Sequence, residues 1–165
     1  MTDQAAPPMP QPTAEHTLLM DHVGNWKIAC KFFMEPGQPP MEAQATESVE
    51  KVGEFWTLSK YQCDMMGMPF VGTGCLGYDP YKERYVGTWI DSLTTELAVM
   101  TGEMDLDGNT LIMRWTARDP DSGVPTPNRV ETTFNGDSYT SNFFQGSGDG
   151  TKVMTLAMKR TAAHN

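Results

Sequence analysis

Positive charge is scarce in this chain. Twelve lysines and arginines stand against 21 aspartates and glutamates, a formal charge of −9 over 165 residues, and no basic cluster offsets that balance locally. Nucleic acid and anionic membrane surfaces both select for such clusters, so neither is expected as a partner. Long apolar runs are also missing. None approaches the roughly 20 residues that a spanning helix requires, so membrane insertion is not expected.

Cysteine and histidine are equally thin. Cys30, Cys63 and Cys75 are odd in number and show no Cys-x-x-Cys spacing, which argues against a disulfide framework or a structural zinc site. The first dozen residues have neither the positive start nor the apolar stretch of a secretory signal. A reducing, cytoplasmic setting is the expectation. His16 and His22 fall in an opening helix and His164 in the tail, so no strand offers an inward histidine for haem. No Ser-His-Asp set, phosphate-cradling glycine loop or metal-spaced cluster is legible, and neither cofactor nor metal is expected.

What is present reads as strands. Residues 1–12 are polar and proline-rich and are expected to form a disordered tail, leaving 13–161 as one barrel domain. Thr13 can cap a short helix over 14–22, which Gly24 would end in the left-handed conformation. From Trp26 the period becomes two, with Trp26, Ile28, Cys30 and Phe32 on one face and lysines on the other. Further strands are expected over 41–52, 55–64, 70–78, 85–91, 96–104, 110–118, 129–134, 138–144 and 152–160. Asp107-Gly108-Asn109 is a strong hairpin signal. Three prolines and a glycine mark 119–127 as a loop, and Gly72, Gly74 and Gly77 are expected at barrel corners. About ten evenly spaced strands without a second helix predict an all-β fold, a single closed antiparallel up-and-down barrel with a short N-terminal helix.

The chain ends carry a resemblance. Gly24-Asn25-Trp26 and Arg160 resemble the calycin superfamily of lipocalin and fatty-acid-binding-protein barrels. That resemblance implies a structural floor in which Trp26 lies across the closed end under Arg160, beside Gly24. The run Pro69-Phe70-Val71-Gly72-Thr73-Gly74 through Leu76-Gly77-Tyr78-Asp79 to Tyr85-Val86-Gly87-Thr88-Trp89-Ile90-Asp91-Ser92, with His16 and Leu19 upstream, is more specific. As a set it is similar to a bacterial domain-of-unknown-function family along almost all of 14–160. The resemblance implies a lipocalin-like barrel and no activity.

Candidate ligand-binding residues come from strand parity. Trp89 and Asp91 share a face with Tyr85 and Gly87, so Asp91 is either a polar anchor in an apolar cavity or a cap on the turn at Ser92. Tyr61 lies mid-strand on the face of Phe55, Thr57 and Cys63. Arg114 and Arg129 are expected on an ion-paired outer face, the alternative being an internal carboxylate binder. Met65-Met66-Gly67-Met68 reads as a hairpin connection or as an adaptable lip at the mouth.

The leading expectation is a barrel holding a small hydrophobic or amphipathic ligand against Tyr61, Trp89 and Asp91. Trp89→Ala is expected to lower affinity while leaving the melting temperature within a few degrees. Two alternatives stand beside it. One is a barrel enzyme of isomerase or cyclase type, with Asp91 or Glu47 as a buried base of raised pKa. The other is a filled barrel acting as an interaction protein, in a homodimer or larger homo-oligomer, that displays Tyr81, Phe143 or Phe144.

Overall fold

A computed structural model describes residues 8–161. His164 and the first seven residues of the expected tail lie outside the described residues, and 8–13 have no regular structure. A helix, α1 (Ala14–Met20), precedes ten strands: β1 (Gly24–Phe32), β2 (Met41–Val52), β3 (Trp56–Met65), β4 (Met68–Asp79), β5 (Arg84–Asp91), β6 (Ala98–Met104), β7 (Thr110–Arg118), β8 (Pro125–Asn135), β9 (Ser138–Gln145) and β10 (Thr151–Arg160).

Each strand pairs antiparallel with its sequence neighbour, and β1 pairs with β10 as well as β2, closing the barrel. Closure leaves no strand edge unpaired, which removes the template for intermolecular pairing that an open sheet presents. Because the strands alternate in direction, the start of β1, the end of β10 and α1 gather at one end, the floor. The loops 33–40, 66–67, 92–97, 119–124 and 146–150 surround the other, the mouth.

The strand alternation read from the sequence holds around the barrel, and three local expectations are corrected. The helix stops at Met20, because the His22 and Val23 amides donate to the Leu19 and Met20 carbonyls in tighter i to i−3 bonds. Gly24 does not end the helix; it opens β1 at φ +142°, and a Cβ there would meet Arg160 Nη1 at 2.6 Å. β8 begins at Pro125 rather than Arg129, so 125–127 is strand and not loop. Pro125 and Pro127 oppose Arg118 and Thr116 of β7. The Pro127 carbonyl faces β9, where it accepts from Gly146. The missing proline donors therefore point past the end of β9, whose pairing with β8 starts only at Asn128, and no ladder bond is lost.

The core is densest toward the floor. Trp26, Ile28, Tyr85, Leu111, Met113, Tyr139, Leu156 and Met158 all point inward and are buried. His16 anchors α1 to this end. Its Nδ1 accepts from the Thr13 amide at 3.0 Å, which leaves Nε2 to donate to the Tyr78 carbonyl at 3.1 Å. Phe55 and Tyr78 pack edge-on against its ring.

Candidate ligand site in the barrel

At the floor the Arg160 guanidinium lies 4.3 Å from the centre of the Trp26 ring. Its two terminal nitrogens donate to the Val23 and Asp21 carbonyls at 2.7 and 2.6 Å, and Nε donates to Asp137. The structure thus brings Gly24, Trp26 and Arg160 together in one contact set. On the same layer the His22 ring stacks against Trp26 and Tyr139, with centroids 5.0 and 4.8 Å away.

Toward the mouth the packing opens. Phe32, Phe70, Trp89, Phe143 and Met154 also face the interior, yet each is only partly buried. Tyr61 lies below them, buried, with its ring edge-on to Phe70 and Trp89 at 5.8 and 6.2 Å. Its hydroxyl reaches across the intervening β2 to within 3.2 Å of Cys30 Sγ. Burial raises both groups above their usual pKa ranges, so thiol and phenol are neutral. Cys63, on the Tyr61 face, is buried beside them, and the three cysteines remain free.

Trp89 is seated on glycine. A Cβ at Gly72 would come within 2.1 Å of its ring, and one at Gly74 within 3.2 Å. These two glycines therefore serve as a flat bed for an indole, and Gly77 accommodates Trp56 in the same way. Trp89 Nε1 donates to Asp91 Oδ2 at 3.0 Å, while Asp91 Oδ1 accepts from the Leu93 and Thr94 amides. Asp91 thus caps the turn after β5 and fixes the indole at the rim. Because Trp89 carries this packing, its truncation to Ala costs stability, and the expectation of a nearly unchanged melting temperature is withdrawn.

Glu47 is an inward carboxylate deeper than Asp91. It opposes Trp26 of β1 and Tyr61 of β3 in register, and its side chain is 12% exposed. His22 Nε2 is 3.9 Å from its carboxylate. This contact is not an ion pair. Desolvation, opposed only by the Ser59 hydroxyl, pushes the Glu47 carboxyl up to about 7. Desolvation and then the Arg160 charge lower His22 to about 4. Both shifts favour the neutral forms, which is what two groups buried without a strong mutual contact should show. His22 Nδ1 and Tyr85 Oη have no hydrogen-bond partner among the described residues. The approach of His22 to Glu47 depends on how the chain enters β1.

The arginines weighed as carboxylate binders face outward. Arg114 pairs with Glu103, and Arg129 Nε donates to Glu131 at 2.7 Å while its ring-like head lies 4.3 Å over Phe144. Arg129 Nη2 also holds the Asp149 carbonyl. A groove of about 770 Å³ runs over this outer wall, between Leu97, Val99, Arg114 and the loop at Gly146–Gly148. Trp115 also lines it, and its two arginines are paired with glutamates. Tyr81, Phe143 and Phe144 do not form a joint patch: Tyr81 is exposed at the β4–β5 turn, Phe143 faces the interior and Phe144 lies outside under Arg129. Met66 and Met68 are exposed at the β3–β4 turn.

A closed antiparallel barrel of ten strands, buried at one end and aromatic at the other, is the class that the fold and interior define. The chain belongs to the family described as protein of unknown function (DUF1579), whose model matches residues 11–160. No curated protein matches it. Among solved structures it is similar to Rv2717c from M. tuberculosis, at 12% identity and a TM-score of 0.63, covering 92% of this chain and 99% of that one. At that identity the likeness shows a shared fold. The redesigned β-barrel mFAP1, bound to DFHBI, matches over 90% of this chain and 100% of its own, with 18% identity and a TM-score of 0.46. No helix among the described residues is long and apolar enough to cross a membrane.

Proposed function

We propose that the protein is a lipocalin-type binder of a small apolar or amphipathic molecule, held in the mouth half of the barrel. The observation that supports this reading is the contrast along the interior. Inward side chains near the floor are sealed, Trp26 at 1% and Ile28 at 0% exposure, whereas Phe32, Phe70, Trp89, Phe143 and Met154 toward the mouth end are only partly buried. Apolar walls with few polar groups are what small-molecule sites offer. Tyr61 forms the base of that recess, Trp89 its wall and Asp91 the buttress that orients the indole. Three free cysteines suit a cytoplasmic setting. The neutral fluorophore N-phenyl-1-naphthylamine tests the reading: binding that quenches Trp89 emission is expected, with the energy transfer reduced in Trp89→Phe. A folded wild-type protein that leaves the fluorophore in water overturns it.

The enzyme alternative now rests on Glu47 alone, since both Asp91 oxygens are engaged at the rim. A carboxyl titrating near 7 in an apolar interior suits a general base. Hydrogen–deuterium exchange at a carbon next to a carbonyl in an added ketone, lost in Glu47→Gln, is its signature.

A further inference from the structure

Charge is distributed unevenly between the two faces of this barrel. Every lysine is exposed to solvent, as are Arg84, Arg114 and Arg118, and Arg129 is engaged outside by Glu131. Arg160 is spent on Trp26 and the carbonyls of Asp21 and Val23 at the floor. The interior therefore offers no cation to a carboxylate or phosphate ligand. It does offer Glu47, on the inward face of β2, whose polar neighbours are the Ser59 hydroxyl and the His22 imidazole at 3.9 Å. Tyr61 is the β3 residue paired with Glu47 in the β2–β3 register, and its ring packs against Phe70 and Trp89.

We propose that the ligand of this barrel is an organic cation, an amine on an apolar or aromatic body, with its ammonium held by Glu47 and its body against Tyr61, Phe70 and Trp89. The proposal rests on the ligand-binding reading above and narrows its ligand class. A buried carboxylate without a charged partner is costly, and an ammonium supplies both the missing charge and the missing donors. The aromatic rings beside it add cation–π attraction. The group that faces Glu47 from the chain leading into β1 is His22, which is neutral at neutral pH. From β3 it is uncharged Ser59 with Tyr61. The Arg160 charge is directed at Trp26 and His22.

The experiment is competition against N-phenyl-1-naphthylamine at about pH 8 by decylammonium, decanol and decanoate, three probes of one chain length. Decylammonium is expected to displace the fluorophore at least about tenfold more tightly than decanol, with decanoate weakest. Glu47→Gln is expected to bring decylammonium to the level of decanol. If the fluorophore binds and decanoate or decanol competes as well as decylammonium, the cation assignment falls while the ligand-binding reading stands. If the fluorophore itself does not bind, the broader reading falls. A preference for decylammonium that survives Glu47→Gln also overturns the assignment. Should that variant not fold, the wild type decides: its preference should disappear at about pH 5, where Glu47 is neutral while the probe remains an ammonium, and a preference that persists there overturns the proposal.

Discussion

Arg160, the last residue of β10, covers Trp26, near the start of β1, at 4.3 Å and reaches past it to two backbone carbonyls. One planar side chain thereby joins the last strand to the turn between α1 and β1. Lysine can replace the charge but not the fork.

Arg160→Lys should therefore lower stability by about 2 kcal/mol, the scale of charged hydrogen bonds lost from a half-buried site. That corresponds to a fall of about 5 °C in melting temperature for a chain of this size. Thermal unfolding followed by circular dichroism measures it. Fluorophore affinity at the mouth should stay unchanged, and a loss of binding larger than the loss of stability would show that floor and mouth are coupled.

Gly72→Ala places a methyl group where the Trp89 ring lies, 2.1 Å from its Cζ2. The indole is rigid and must leave its seat, at a cost of about 2 kcal/mol. Trp89→Ala alone should cost about 3 kcal/mol by leaving a cavity. The double variant should be more stable than the sum of the two losses implies by about 1 kcal/mol or more, because the added methyl then meets empty space. Additive losses in denaturant titrations would contradict the contact.

Glu47 sets a pH dependence of defined sign. Its carboxyl binds a proton more tightly in the folded state, at about 7 against 4.5 for the free group. The stability this confers is complete below 4.5 and is lost as pH rises through about 7. His22 acts oppositely: lowered from 6.5 to about 4, it confers stability present above 6.5 and lost as pH falls through about 4. Glu47→Gln removes the first effect and keeps the second. Wild type should therefore gain on the order of 3 kcal/mol relative to the variant between about pH 8 and pH 4.5. Urea titrations of the two proteins that run parallel across that range would refute the assignment.

Much of the barrel was legible because alternation survives in nearly every strand. Trp26, Ile28 and Cys30 point inward while Lys27, Ala29 and Lys31 point out. The hairpin at Asp107-Gly108-Asn109 also stands where its residues placed it. The start of β8 was hidden because proline marks a break unless its missing donor faces away from the ladder, and that depends on where β9 ends. Parity put Trp89 beside Asp91 but did not show that Gly72 and Gly74 are the surface beneath the indole, which needs the β4–β5 register. Glu47 and His22 are far apart in the chain. Their shared desolvation follows only once His22 lies under the barrel beside Trp26 and Tyr139.

The seam between β1 and β10 also governs how the molecule comes into being. Its partners, from Trp26 with Arg160 to Phe32 with Met154, are drawn from opposite ends of the chain, so the seam is the most non-local pairing in the fold and the costliest in loop entropy. During folding β1 through β9 can assemble as a curved sheet, but that sheet keeps two raw edges until β10 docks. The folding chain is consequently most vulnerable to misassociation until β10 is in place, and β10, capped by Arg160, is the segment whose docking ends that exposure.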